Sequence, residues 1–73
     1  MNPTQIGRLE VKVDGTLKHT VNVFRNGEGL QVEGNGFLQT GEYFGGQQVV
    51  INMATKKALR QYGDEVEVHY HHQ

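Results

Sequence analysis

The chain closes on "DEVEVHYHHQ", Asp64 to Gln73, which places three of its four histidines within five residues. On an extended strand His69 and His71 project to one side, about 7 Å apart by the two-residue rise, and Glu67 shares that side. Two imidazoles and a carboxylate so spaced could share a metal ion or form a proton-linked patch, since nearby carboxylates favour the charged imidazole. The same alternation is also what a solvated strand face looks like. No second ligand cluster lies elsewhere in the chain, so His69 and His71 are weak metal candidates, and neither a metal nor a cofactor is expected.

Other chemistry is harder to place. The sequence contains no serine and no cysteine, which leaves threonine or a carboxylate as nucleophile. Asp14 belongs to a turn signal, Glu28 flanks another, and the remaining acids alternate along strands. Gly34-Asn35-Gly36 lacks both the glycine spacing and the Lys-Ser/Thr pair of a phosphate loop. An enzyme is not expected.

Binding is the stronger theme. The first expectation is a protein-binding module (adaptor, inhibitor or small subunit) working on a larger protein through "GFLQTGEYFGG" or an edge strand, with Phe37, Tyr43 and Phe44 as partner-binding residues and the latter two as anchors. The alternative is a small barrel that binds single-stranded nucleic acid. There Phe24 would stack bases, and Lys56, Lys57 and Arg60 would meet phosphates. Seven basic against eight acidic residues, a formal charge of −1, argue against nucleic acid, because such modules usually carry a one-sided balance. Self-association is a further expectation for so small a frame.

With 73 residues the chain is expected to form one domain, 1–73, near the lower size limit for independent folding. Without cysteines it gains no disulfide, which fits a reducing compartment. The longest apolar run is "VVI", so no membrane segment is expected and the cytoplasm is the expected location.

Several elements can be read from pattern. "VNVFRNGEGLQV" predicts a hairpin turning at Asn26-Gly27, with Arg25 opposite Glu28, Val23 opposite Leu30, Val21 opposite Val32 and Phe24 covering Gly29. Phe24 then faces away from the core, near Arg25, Lys18 and Lys12. Upstream, a two-residue Asp14-Gly15 loop would set Val11 against Lys18 and mix the faces. A three-residue loop Val13-Asp14-Gly15 is therefore preferred, pairing Val11 with Leu17, Glu10 with Lys18 and Leu9 with His19. His19, on an apolar face, reads as a hydrogen-bonded histidine at the core's edge. Short strands are expected near Phe37 to Gln39 and Glu42 to Phe44, and "QQVVINM" reads as a central strand. "ATKKALRQYG" predicts two turns of helix, capped by Thr55, with Ala58, Leu59 and Tyr62 on one face and Gly63 as its stop. A last strand carries Val66, Val68 and Tyr70 on one side and Glu65, Glu67, His69 and His71 on the other. The expected fold is mainly β with one short helix, in a small antiparallel barrel of SH3-like or OB-like kind. An open antiparallel sheet with the helix across one face is the alternative.

Overall fold

The computed structural model describes residues 3–73. In chain order these form β1 (Thr4–Val13), β2 (Thr16–Asn26), β3 (Gly29–Glu33), β4 (Gly41–Tyr43), α1 (Gln47–Tyr62) and β5 (Val66–His72). The strands make one antiparallel sheet in the order β4-β3-β2-β1-β5. Strands β4 and β5 are its two edges, so the sheet is open and the expected barrel closure does not occur. The physical reason lies in "QQVVINM". Those residues begin α1, and a helix that carries the chain from one edge to the other leaves no strand to close the sheet.

Two signals compete in that stretch. Val49, Val50 and Ile51 favour a strand by propensity, but Val50, Ala54 and Ala58 recur every four residues and are all buried. One helical face therefore reaches the core, and that burial outweighs the small propensity penalty of the β-branched run. Alanine at two of the three contact positions lets the helix lie close against the sheet. Thr55 is inside the helix, where its hydroxyl donates to the Ile51 carbonyl at 2.8 Å, and so it does not cap. Gly63 does end the helix, at φ 84°, with its N–H donating to the Leu59 carbonyl at 2.9 Å.

The meander forms, but both of its registers differ from expectation. Between β1 and β2 the loop is Asp14-Gly15 alone, with both residues at positive φ (51° and 78°) as a type I′ turn requires. Lys12 pairs with Leu17 and Val11 with His19, so Lys18 is an extra residue on β2. The mixing of faces is thus corrected by a bulge three residues past the turn, and Leu9 pairs with Val21. Between β2 and β3 the loop is Gly27-Glu28. Only Gly27 has positive φ (64°), the pattern of a type II′ turn. Arg25 then pairs with Leu30, Val23 with Val32 and Phe24 with Gln31, a displacement of two from the expected register. A shift of two keeps every side chain on its face, so Val21, Val23, Leu30 and Val32 are still buried.

From 34 to 40 the chain is a loop, without the strand expected near Phe37 to Gln39. Phe37 and Leu38 turn inward and join Leu9, Val11 and Val50 in the core. Strand β4 falls where one was expected. Phe44 is 70% exposed, yet its ring covers Gly29, the role the sequence had suggested for Phe24. Strand β5 is the expected one-sided edge: Val66, Val68 and Tyr70 pack toward the core while Glu67, His69 and His71 are exposed.

Candidate functional site

Alternation along β1 and β5 gathers charges on the sheet face away from the helix. Glu10 stands between two cations or potential cations, with His71 Nε2 at 2.7 Å and Arg8 Nε at 3.5 Å. His69 leans toward Glu67 at 3.4 Å, and the His69 and His71 rings are 6.5 Å apart. The two imidazoles therefore share a side, as expected, but each faces its own carboxylate. Among the described residues no three His, Asp or Glu side chains converge as a metal-binding set.

Partial loss of water around Glu10 raises its carboxyl pKa, but His71 first and then Arg8 outweigh this, and the net value lies below the ordinary 4.5. A depressed carboxyl stabilises the fold above its unfolded-state pKa, and that stability is lost as pH falls through the lowered folded-state value. Urea unfolding of the parent and of Glu10→Gln should accordingly differ above about pH 4.5. The two curves should merge under more acidic conditions. A gap that persisted or widened in acid would show that the carboxylate is not the stabilising form.

A second surface lies on the helix side. Met53, Lys56, Lys57 and Arg60 follow the i, i+3, i+4, i+7 spacing of a single helical stripe. They form one wall of a groove of about 350 Å³ whose other side is Phe37, Leu38, Gln39 and Tyr43. The Tyr43 hydroxyl donates to the Gln39 carbonyl at 2.6 Å, which braces that second wall. The Lys57 ammonium is 5.4 Å from the centre of the Phe37 ring, within cation–π range. Three cations and no carboxylate line the groove. The acids Asp14, Asp64, Glu65 and Glu67 surround a separate hollow beside the β1–β2 turn.

The structure thus unites Phe37 and Tyr43 with Lys56, Lys57 and Arg60, two sets that the sequence reading had assigned to different functions. Phe37, expected as an exposed partner-binding residue, is only 1% exposed and forms the floor of the groove. Phe44 lies outside the groove against Gly29. Phe24 is on the other face of the sheet, in a hollow with Pro3, Gln31, Glu33 and Thr40, and does not join the basic stripe. His19 has the core-edge role expected of it, with Nε2 2.5 Å from the Tyr62 hydroxyl and its ring stacked on Phe37. Sequence reasoning missed Met53, and it placed Leu38 and Gln39 within the contact stretch without singling them out. Met53 was recoverable from its spacing to Lys56, Lys57 and Arg60, once the helix is carried back across it.

Comparison with protein-family models, curated proteins and solved structures gave no match. Among the described residues no helix is long and apolar enough to cross a membrane.

Proposed function

We propose that this chain is a non-catalytic protein-binding module whose helix-side groove takes an acidic, partly apolar segment of a larger protein. One observation carries the reading: Lys56, Lys57 and Arg60 border an apolar floor of Phe37, Leu38 and Met53 with no carboxylate among them. An extended or helical peptide with one large apolar residue among acids would bury that residue and pair its charges at the rim. Rim charges of this kind chiefly steer and orient a partner, and the apolar contact holds it. The chain needs no cofactor for this work, and its place would be the cytoplasm.

The nucleic-acid alternative has less support than the sequence suggested. Its stacking ring, Phe24, and its phosphate-binding cations lie on opposite faces of the sheet, so a single strand would not engage both together. Fluorescence anisotropy separates the two readings. The probes are a labelled peptide of aspartate and glutamate around one leucine, the same peptide with the acids made amides, and an oligothymidine of similar length. The acidic peptide should bind best, and Lys56→Glu with Arg60→Glu should weaken it at least about tenfold at unchanged melting temperature. Tighter oligothymidine binding, falling steeply with salt, would overturn the protein-partner reading.

A further inference from the structure

The two edges of the sheet are unequal. Strand β4 has three residues and leads through Phe44 into Gly45 and Gly46, so it offers little backbone to pair with. Strand β5 has seven, pairs with β1 from Gly7↔His72 to Val13↔Val66 without a bulge, and carries neither lysine nor proline. Lysine, proline, bulges and short length all blunt an edge; β5 has none of these, and its charged side chains are Glu67 and the histidines.

Its free backbone groups can be assigned. The Gln73 N–H donates to the Ile6 carbonyl, and the Glu65 carbonyl accepts from the Asp14 N–H, both across the β1–β5 ladder. Odd-numbered residues of this segment therefore turn their peptide groups inward to β1. By alternation Val66, Val68, Tyr70 and His72 turn theirs outward to solvent. A second antiparallel strand must bond to those four.

We propose that β5 is a self-pairing edge, and that two copies of this chain join through it about a two-fold axis at Val68. The sequence around that residue is complementary to itself when reversed. Val68 meets Val68, Glu67 meets His69, Val66 meets Tyr70 and Glu65 meets His71. Each acid faces an imidazole, and each apolar residue faces another. Neighbouring registers lack this property. An axis at His69 sets His69 on itself, an axis at Tyr70 sets His69 on His71, and an axis at Glu67 sets Glu67 on itself. A register centred between residues would oppose outward-facing peptides to inward-facing ones and form no ladder.

The pairing extends the sheet to both copies and places both helices on one side. There the partly buried Val66, Val68 and Tyr70 of each copy gain the other's apolar row. This is the isologous contact expected of a two-fold dimer, and it is independent of the basic groove. The charges already facing the imidazoles on the open side are Arg8, Glu10 and Lys12 of β1 together with Glu65 and Glu67. The helix covers the opposite side. The Glu–His rows of the dimer lie on this open side, two Glu67–His69 pairs and two Glu65–His71 pairs, where opposite charges set across a ladder favour the register.

The test uses single cysteines in a chain that has none of its own. At the axis Val68→Cys meets its copy at about 5.5 Å between Cα atoms, within disulfide range, and mild oxidation should give a covalent dimer. Val66→Cys is about 13 Å from its own copy and should stay monomeric. Preferential crosslinking of His69→Cys, equal crosslinking at all three sites, or none at Val68→Cys would overturn the proposal. A charge exchange provides a second readout by sedimentation velocity, with circular dichroism to confirm folding. Chains carrying Glu65→Lys with Glu67→Lys, or His69→Glu with His71→Glu, should each be monomeric alone and should dimerise when mixed. Either variant associating alone as well as the parent, or a mixture no better than its parts, would also overturn it.

Discussion

Gly34→Ala should unfold the chain at ordinary temperatures, although it adds one methyl group. A Cβ at this position would lie 1.7 Å from the Leu38 carbonyl oxygen and 2.4 Å from its carbon, both main-chain atoms that cannot swing aside. The surrounding loop is fixed by three hydrogen bonds centred on residue 34. Its carbonyl accepts from Phe37 N at 2.9 Å and Leu38 N at 3.2 Å, and its N–H donates to Thr40 Oγ1 at 2.9 Å. Relief of the overlap would break these bonds and draw Phe37 and Leu38 out of the core. The expected loss is about 4 kcal/mol or more, comparable with the whole net stability of a domain this small. Gly36→Ala is the control, because its Cβ would meet nothing within 4 Å and only its φ of 82° is costly. That variant should lose about 1 kcal/mol. If thermal melts gave Gly34→Ala a midpoint no lower than that of Gly36→Ala, the close approach of residue 34 to Leu38 would be wrong.

The same loop shows why the sequence could be read only in part. Alternation in β2 and β3 told which side chains are buried, because a pleated strand has a period of two. It could not tell Val23↔Leu30 from Val23↔Val32, since a displacement of two leaves the pattern unchanged. The Asp14-Gly15 problem was recognised correctly, as a conflict of faces, but the extra residue could be accommodated in the turn or at Lys18, and both remedies restore the pattern. In α1 the stripe from Val50 through Ala54 to Ala58 was present but cut in two by the strand-like "VVI". Between 34 and 46 glycines leave pieces too short for any period, so Phe37 looked like an exposed loop ring. The basic stripe was legible from Lys56 onward, whereas the groove that it borders depends on where that loop folds. The charge pattern about Val68 bears on the proposed pairing only because β5 is an edge of the sheet, which its sequence alone did not show.

Phe37 therefore offers the sharpest contrast between a binding residue and a structural one. Its side chain is 1% exposed and stacks on His19 with ring centres 4.4 Å apart and planes inclined by 24°. His19 in turn meets the Tyr62 hydroxyl at 2.5 Å, so the loop, β2 and the end of α1 are tied together through one ring. Phe37→Ala should cost about 3–5 kcal/mol, from lost transfer free energy and from a cavity that the hydrogen-bonded loop cannot close. Phe37→Leu fills most of that space but forfeits the stacking, and should cost about 1–2 kcal/mol. Were Phe37 a protruding anchor, its alanine variant would stay within about 0.5 kcal/mol of the parent and lose only the partner. Lys56→Glu with Arg60→Glu should behave in the opposite sense, keeping stability and losing the acidic peptide. Chemical denaturation and peptide binding measured on both variants separate the two roles. A stable Phe37→Ala that no longer binds would move this ring from the floor of the groove to its rim.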